Sequence, residues 1–593
     1  MDSPALPLDQ AAIDARSRQL AEEGARLLAS RWDEAAAMCL GAPHEHAAGH
    51  DPRGTLAYAG VLFAAGDSER ARRAVRAVLA MQERTRAHAH LGNFRWMLEE
   101  ETVRDLNAVE FLLDGLADLL RDHEPAMGGA LASEVREAMR LGLAEIDRLD
   151  VHPSYTNIFL SDACNRALCG QAIGDARVVT RGAERVDAWL AFTARSGAPH
   201  EYNSPTYLAV DIERMAKLAE HGAGAALRAR ALVAEQLLWR HAAAHWHPPT
   251  AQLVGPHSRS YFDGWTGAPG FLKLILWKLL GDDLLRAPSP YAARGREEGH
   301  LGIARGRFHP PADAIGLLQE KAYPYEHIDV ADAVRGQRLT TYMTRDYALG
   351  TASRAFTVGE PPEPWPGPNS LLLHVRREGA PGFAVLHLRY VVDDHDHGGH
   401  EELIDEGTFV GAQVRNRALC AYGLQPRLRP MRSAKLSLRM LGAGDGVLIG
   451  GRRAGALPAA VRPGEAVTID AGAAYVALVP LAPTEMGTGA GIELRRTGYL
   501  LALDVYNYRG PAKQFWEYRS LGGPFFKTNI RAACAVEVAS REDFPGLEAF
   551  AAHIAATPLR DVGDGAVRTI RYGGVADAVT LRYDLRTMEP APS

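Results

Sequence analysis

The hydrophobic pattern of this chain changes its period after about residue 300. Before that point, Ala- and Leu-rich stretches with Arg and Glu faces recur at helical spacing. After it, Val, Thr, Tyr and Leu alternate in short runs that Gly, Pro and Asp interrupt. At 593 residues the chain is also too long for a single core. The sequence therefore predicts a multidomain protein with a helical part followed by a β part.

The helical part reads as one helix after another, with breakers such as Gly41-Ala-Pro43 and His152-Pro153 between them. Successive antiparallel helix pairs with short links can close into a toroid. We therefore predict an (α/α) toroid with a catalytic cleft over residues 1–285. The predicted helices cover about 10–40, 55–82, 105–121, 129–148, 158–173, 176–195, 205–220, 225–244 and 268–280.

Many short strands with frequent turns are typical of an antiparallel β-sandwich. Examples of such alternating runs are Phe383–Val392, Ala474–Pro480 and Leu500–Tyr506. We predict a β-sandwich domain over residues 286–593, with the boundary near the Ala-Pro-Ser-Pro-Tyr stretch at 287–291.

The charge balance and the termini exclude several classes of protein. A net charge of −6 argues against nucleic-acid binding, although a local basic cleft for an acidic sugar remains compatible with it. The chain contains no run of about 18 apolar residues, so we expect no membrane span. The N-terminus has no secretory signal, so we expect a cytoplasmic protein, while a processed secreted form and the oligomeric state stay open. Five sparse cysteines suggest reduced thiols.

Residues 201–207, Glu-Tyr-Asn-Ser-Pro-Thr-Tyr, lie between two helical patterns. Ser204 suits an N-cap and Pro205 suits the first helical position. Glu201, Tyr202 and Asn203 therefore precede a helix N-terminus, which favours an anion. A turn with a carboxylate, an amide and two phenols suits a polyhydroxylated acidic ligand. The alternative is a well-capped helix with incidental polar neighbours.

A second polar segment, residues 245–261, follows the next predicted helix. It contains His247, His257, Arg259 and Tyr261 together with several prolines. Polar aromatic and basic residues in an ordered loop indicate a functional site. The alternative is a surface loop that proline stiffens and whose histidines are solvated.

The pairing of Glu-Tyr-Asn-Ser-Pro-Thr-Tyr with Gly-Pro-His-Ser-Arg-Ser-Tyr at 255–261 resembles the α/α-toroid polysaccharide lyases, namely the heparinase II/III-like, alginate and glucuronan lyase relatives. In such lyases a Tyr and a His transfer protons, while Asn, Gln, Arg or His neutralises the uronate carboxylate. The resemblance implies a lyase that cleaves uronic-acid-containing glycans by β-elimination, with an acidic polysaccharide or oligosaccharide as its substrate.

Carried onto this sequence, the resemblance implies specific roles. His257 and Tyr261 would transfer the protons, with Tyr202 or Tyr207 as substitutes, and Asn203 and Arg259 would neutralise the carboxylate. Two other functions stay open. A glycoside hydrolase on the same scaffold would use two carboxylates, such as Glu201 with Glu110 or Asp211, and a protein without activity would only bind carbohydrate.

Other polar and aromatic residues are candidates for binding the sugar chain. Asn93, Arg95 and Trp96 combine a donor, a cation and a flat apolar face, although the same set would fit a helix–helix corner. Asn157 could reach the same cleft or simply cap its helix. The predicted substrate-binding residues are Asn93, Arg95, Trp96, Asn157, Glu201, Tyr202, Tyr207 and His247.

The densest cluster of histidines and acids follows a strand pattern at residues 390–407. Its His395, His397 and His400 predict a divalent metal site, zinc first, and a solvated hairpin is the alternative. The glycine-rich runs do not open helices and no Walker motif is present, so we expect no organic cofactor.

Overall fold

The computed structural model shows a helical N-terminal part and a β-rich C-terminal part. The structure describes residues 8–41, 49–260, 270–281, 299–365, 367–379, 382–393, 405–424, 430–486, 491–514, 517, 519–520, 523–524, 531–563 and 565–591.

The helical part begins with helices whose first turns are capped by aspartates. Asp9, Asp51 and Asp175 each accept backbone N–H groups at a helix start, and Pro52 takes the first position after Asp51. The helices are α1 Gln10–Ala29, α2 Pro52–Ala64, α3 Ser68–Leu79, α4 Ala108–Met127, α5 Gly129–Leu149, α6 Thr156–Ile173, α7 Ala176–Ala194, α8 Leu208–His221, α9 Gly224–His245, α10 Gly270–Leu280, α11 Gly299–Arg305 and α12 Ala312–Gln319.

Successive helices form pairs around a ring. Helix α2 packs on α3, α4 on α5, α6 on α7 and α8 on α9, with one to three residues between the members of each pair. The first helices of the pairs also pack on one another in chain order, from α2 through α4 and α6 to α8. Helix α10 contacts both α8 and α1, and α1 contacts α2, so the ring closes as an α/α toroid.

The β part contains two large antiparallel sheets that enclose a common core. The larger sheet has nine strands in the order β18-β21-β22-β15-β12-β11-β8-β7-β6, and the second has seven in the order β13-β14-β25-β20-β19-β16-β17. Alternate residues of both sheets meet in one apolar cluster, as in a sandwich.

The strands of the nine-stranded sheet are β6 Tyr325–Asp332, β7 Gln337–Met343, β8 Tyr347–Ala352, β11 Leu371–Arg376, β12 Phe383–Val392, β15 Met431–Leu441, β18 Ala459–Val461, β21 Gly491–Thr497 and β22 Leu500–Lys513. Those of the seven-stranded sheet are β13 Gly407–Val414, β14 Arg417–Leu424, β16 Val447–Ile449, β17 Arg452–Arg453, β19 Val467–Asp470, β20 Ala474–Pro480 and β25 Arg531–Ser540.

Shorter strands form small sheets beside these two. They are β1 Trp32–Asp33, β2 Met38–Leu40, β3 His50–Asp51, β4 Trp246–His247, β5 Gln252–Leu253, β9 Thr357–Val358, β10 Glu363–Pro364, β23 Arg519–Ser520, β24 Gly523–Pro524, β26 Leu559–Gly563, β27 Val567–Tyr572 and β28 Val579–Asp584. One further helix, α13 Leu547–Ala556, covers the seven-stranded sheet through β19 and β20.

The predicted fold class, a toroid of helix pairs followed by an antiparallel β-sandwich, is confirmed. Some helix boundaries differ from the predictions. The predicted helix over 10–40 ends at Ala29, because the following residues pair as β1 and β2. The predicted helix over 55–82 is split between Ala64 and Ser68, where Asp67 caps a new helix.

The transition from helices to strands lies between Gln319 and Tyr325. The predicted domain boundary at 285/286 falls in a segment outside the described residues and stays a prediction. Among the helices that the structure describes, none combines the length and apolar character needed to cross a bilayer. All five cysteines are buried and unpaired.

Asp405 joins the two sheets of the sandwich. Its carboxylate accepts the backbone N–H of Tyr390 in β12 at 2.8 Å and the hydroxyl of Tyr422 in β14 at 2.5 Å. Burial raises the pKa of Asp405 to about 6, although the guanidinium of Arg389 opposes the shift.

This raised pKa predicts a pH-dependent contribution to stability. Between about pH 4 and pH 6, folded Asp405 keeps a proton that the unfolded chain has lost, so stability falls as pH rises through this window. The size is about 3 kcal/mol for a shift of about two units. Asp405→Asn has no carboxyl group that can titrate at this position. The Tm of the wild type minus the Tm of this variant should therefore decrease between pH 4 and pH 6.5.

The matched control is Asp445→Asn, at an exposed position in the same β part. Its Tm difference from the wild type should stay constant over the same range. A Tm difference for Asp405→Asn that is equally constant would contradict the protonation of Asp405 in the folded state.

Candidate active site

A cleft of about 480 Å³ opens at the end of the toroid that faces the β part. Its walls come from helices α2, α4, α6, α8, α10 and α11 and from the loops that precede α4, α6 and α8. Arg259 and, from the β part, Trp365 also line it. Among the residues predicted from the sequence, Trp96, Asn157, Tyr207 and Arg259 line this cleft. The toroid therefore provides the cleft, and the β part completes it.

The segment 254–260 runs between the loop at 201–204 and the β part. On one side, the backbone N–H of Ser258 donates to the carbonyl of Tyr202. On the other side, His257 and Asn369 exchange backbone hydrogen bonds, and the N–H of Ser260 donates to the carbonyl of Gly367. These bonds fix Arg259 at the junction of the two parts.

Gly255 allows this close approach. Its φ is +91°, and the backbone of Gly350 in β8 lies against it, so that a Cβ on Gly350 would meet Gly255 Cα at 2.2 Å. A side chain at either position would separate the segment from the sheet.

Glu201 connects three loops through its buried carboxylate. Arg259 Nη1 donates to Glu201 Oε1 at 2.8 Å, and Asn157 Nδ2 donates to both carboxylate oxygens at 2.9 and 2.8 Å. The backbone N–H of Asn157 also donates to Glu201 Oε2 at 2.9 Å. Because Asn157 lies in the first turn of α6, the carboxylate occupies an anion position at a helix N-terminus. The anion at this helix start is a side chain of the protein itself, and the helix is α6 and not the one predicted to follow Ser204.

Arg259 lies among three aromatic rings at the cleft. Its guanidinium carbon is 4.1 Å from the ring centroid of Tyr207, 4.6 Å from that of Trp365 and 5.1 Å from that of Tyr155. Arg259 Nη2 also donates to Tyr207 Oη at 3.1 Å. A partly exposed phenol thus lies in contact with a buried guanidinium.

The opposite part of the cleft carries ion pairs between neighbouring toroid helices. Asp114 of α4 pairs with Arg214 at 2.6 Å and with Lys217 at 2.7 Å, and Lys217 also pairs with Asp118 at 2.8 Å. These buried charges neutralise one another. The exposed side chains of Arg104 and Arg305 also line the cleft, and neither forms an ion pair with another described residue. They leave positive charge available to an anionic ligand.

Ser204 does cap a turn, although helix α8 begins later than predicted. Its hydroxyl accepts the N–H of Tyr207 at 3.1 Å and donates to the carbonyl of Arg259 at 2.8 Å. The residue thus connects the 201–207 loop to the 254–260 segment and holds Tyr207 beside Arg259.

Several predicted site residues do not line the cleft. Asn203 is buried with φ +46°, and its amide donates to the carbonyls of Val254 and Pro256. Tyr202 is buried against Phe356 and accepts a hydrogen bond from Gln337. These contacts hold the loop at 201–204 against its neighbours, and a catalytic or binding role for either residue stays a prediction.

The two predicted histidines of the 245–261 segment are also buried away from the cleft. His247 contacts Thr250 Oγ1 at 2.8 Å and the carbonyl of Thr344 at 2.8 Å. Burial lowers the pKa of His247 and of His257 to about 3 each, so both rings are neutral at physiological pH. Proton transfer by His257 stays a prediction that this placement does not favour.

Asn93 and Arg95 stabilise the loop that leads into α4. Asn93 donates to the carbonyl of Leu106 and to Glu145 Oε1, and Arg95 donates to the carbonyls of Leu98 and Glu100. Only Trp96 of this predicted set lines the cleft, where its ring packs on Phe111 and beneath Arg53.

The predicted residues Tyr261, His395, His397 and His400 lie outside the described residues.

Tyr155 and Trp365 line the cleft beside Arg259 and were not among the predicted site residues. Tyr155 precedes α6 and its hydroxyl accepts a hydrogen bond from Asn107 at 3.1 Å. Trp365 lies in the proline-rich stretch 361–368 of the β part. A tryptophan among prolines in a loop indicates an exposed aromatic surface. The position of Trp365 in the sequence gives no reason to place it beside Arg259.

The carboxylates considered for a glycoside hydrolase do not line the cleft. Glu201 is paired with Arg259, Glu110 accepts from Asn165 at 2.6 Å, and Asp211 is buried. Burial raises the pKa of Glu110 and of Asp211 well above the ordinary range. A glycoside hydrolase needs two carboxylates at its cleft, and none of these three residues lines the cleft.

A second polar cluster lies outside the cleft. Its His241, His245 and Asp329 have the donor types and the spacing that could bind a metal ion. The cluster differs from the predicted metal site at His395, His397 and His400.

Comparison with known proteins gives a partial match. A domain family of unknown function, DUF8769, matches residues 121–298. Among solved structures, the chondroitin AC lyase of Streptomyces coelicolor A3, in complex with chondroitin sulphate, is similar at 16% identity, over 97% of this chain and 88% of that chain, with a TM-score of 0.45. A heparinase III is similar at 10% identity, over 90% of this chain and 83% of that chain, with a TM-score of 0.35. No curated protein matches the sequence at a significant level.

The buried position of Glu201 predicts a large effect of its substitution on stability. Glu201→Gln leaves Arg259 without its ion pair, and breaking a buried pair costs about 3 kcal/mol or more. We expect a clear fall in Tm measured by thermal denaturation. The control Glu360→Gln, whose side chain is 85% exposed, should leave the Tm almost unchanged. Equal Tm values for the two variants would show that Glu201 does not hold the loops.

Proposed function

We propose that the protein is a polysaccharide or oligosaccharide lyase that cleaves uronic-acid-containing glycans by β-elimination at the cleft around Arg259. The observation that carries this proposal is the contact between Arg259 Nη2 and Tyr207 Oη at 3.1 Å at the wall of the cleft. The guanidinium of Arg259 and the phenol of Tyr207 are adjacent, and the proposal assigns carboxylate binding to the first and proton transfer to the second.

The character of the cleft supports an acidic sugar chain as the substrate. The rings of Trp96, Tyr155 and Trp365 offer flat surfaces on which sugar rings can stack. Arg104 and Arg305 add exposed positive charge along the same cleft. Aromatic surfaces combined with cations match a ligand that has apolar ring faces and carboxylate groups.

The reaction requires that the proton next to the uronate carboxylate becomes acidic. In the proposal, Arg259 neutralises this carboxylate and so stabilises the negative charge that develops on it. A phenolate at Tyr207 removes the proton, the carbon–oxygen bond to the leaving sugar breaks, and a double bond forms. The same phenol then returns its proton to the leaving oxygen, so that Tyr207 is regenerated. Glu201 and Asn157 position Arg259 and do not touch the reacting atoms.

A substrate screen tests the proposed reaction class. The protein is incubated with glucuronan, alginate and glycosaminoglycans, and the ultraviolet absorbance of the unsaturated uronide is recorded. We expect this absorbance to grow with at least one polymer. New reducing ends without the absorbance would indicate a hydrolase. Binding of a polymer with no product would indicate a carbohydrate-binding protein.

The proposed role of Tyr207 predicts the activity of a variant that lacks only its hydroxyl group. Tyr207→Phe should lower kcat by about a hundredfold or more while KM changes little, since a general acid–base group contributes on that scale. The matched control is Tyr499→Phe, at a tyrosine that is 67% exposed in the β part, and it should retain the wild-type kcat. Circular dichroism confirms that both variants fold.

The same assay distinguishes proton transfer by Tyr207 from proton transfer by His257 and Tyr261, the pair that the sequence resemblance implies. His257→Gln and Tyr261→Phe test the motif, and Tyr207→Phe tests the geometry of the cleft. A Tyr207→Phe variant at the wild-type rate, with His257→Gln and Tyr261→Phe inactive, would refute Tyr207 and favour the motif residues.

A further inference from the structure

Two histidines and an aspartate meet where the toroid joins the β part. His241 and His245 lie one turn apart in the last turns of α9, so their side chains share a face of the helix. Asp329 lies in β6, which is the edge strand of the nine-stranded sheet. None of the three lines the cleft around Arg259, so the cluster is separate from the proposed active site.

The distances in this cluster are unlike those of an ordinary hydrogen-bonded group. Asp329 Oδ2 lies 3.4 Å from His241 Nδ1 and 3.8 Å from His245 Nε2. Both contacts are longer than a good N–H···O bond, and this buried oxygen has no hydrogen bond of ordinary geometry in the described part of the chain. Ligands at about 2.0–2.1 Å from a tetrahedral zinc ion lie about 3.4 Å apart. The three atoms are therefore spaced like ligands around a common centre.

The hydrogen bonds around the cluster orient its donor atoms. The contact of His245 Nδ1 with the carbonyl of His241 at 3.0 Å places the ring proton on Nδ1, so the lone pair of Nε2 faces Asp329. His327 Nε2 lies 3.0 Å from Asp329 Oδ1 and holds the other carboxylate oxygen. Partners of this kind fix the rings and carboxylates of metal sites.

His241 connects the cluster to the loop at 201–204. Its Nε2 accepts the backbone N–H of Asn203 at 2.9 Å, which places the ring proton on Nδ1, towards Asp329. An ion bound at Nδ1 would require this ring proton to move to Nε2, where it would face the Asn203 N–H in place of the lone pair. Metal binding would therefore weaken the hydrogen bond between His241 and Asn203.

We propose that His241, His245 and Asp329 form a binding site for a divalent transition-metal ion, with zinc as the preferred ion, which ties α9 of the toroid to β6 of the sandwich. Two imidazoles and one carboxylate are ligands that zinc accepts, and they leave a fourth position for water. The proposal of this metal site does not rest on the proposed lyase activity.

Cobalt(II) added to metal-stripped, full-length protein tests the proposal, because tetrahedral cobalt absorbs visible light. We expect one equivalent to bind with this spectrum, and zinc to displace it and raise the Tm. Asp329→Asn and His245→Gln should each weaken cobalt binding by at least about a hundredfold, since even outer partners of a metal site contribute 10–100-fold. His221→Gln, at the end of α8, is the matched control and should bind cobalt like the wild type.

A variant with alanine at His395, His397 and His400 separates this site from the histidine-rich loop. The variant should keep the cobalt spectrum and the rise in Tm with zinc. The absence of both in the wild-type protein would overturn the proposal, as would unchanged binding in Asp329→Asn. If His245→Gln fails to fold, the part-buried Asp329→Asn decides, because its substitution keeps the size of the side chain.

Discussion

The buried ion pair between Glu201 and Arg259 holds together the loops at the wall of the cleft. Through it, the carboxylate connects the start of α6, the loop before α8 and the segment that leads towards the β part. A buried carboxylate is costly unless it is paired and hydrogen-bonded. Here the guanidinium, one amide and one backbone N–H provide these partners. The guanidinium held in this way contacts the three aromatic rings around it.

The same segment also explains how the toroid and the sandwich act as one structure. Residues 257–260 form hydrogen bonds with both the loop at 201–204 and the stretch 367–369. Within the loop at 201–204, Asn203 connects this junction to His241 and so to Asp329 of β6. The same loop contacts Arg259 of the proposed active site through Glu201. One loop therefore contacts a residue of each proposed site.

The sequence identified two ordered loops, some of whose residues line the cleft, because the signals of such loops are local. Prolines, an N-cap serine and unusual polar residues at 201–207 and 255–261 indicate ordered loops at helix ends, and the structure places both loops together. The sequence did not reveal which side chains face the cleft. Asn203 and His257 have suitable chemistry, but both point into the junction, where their neighbours are carbonyls and strands far along the chain. Trp365 was missed for the same reason, since its contact with Arg259 exists only across the junction of the two parts.

The order of a helical toroid and a β-sandwich is determined by the sequence itself. A period of 3.6 residues in the first half and alternation in the second require helices and strands, because only these elements bury such patterns. The pairing of Glu201 with Arg259, the contact of Tyr207 with that arginine and the meeting of His241 with Asp329 were decided by tertiary structure. Each joins residues whose separation is fixed only when the ring of helices closes and the edge of the sheet docks against it. Local propensity carries no information about that distance, whereas the cost of burying an unpaired charge selects the packing in which these partners meet.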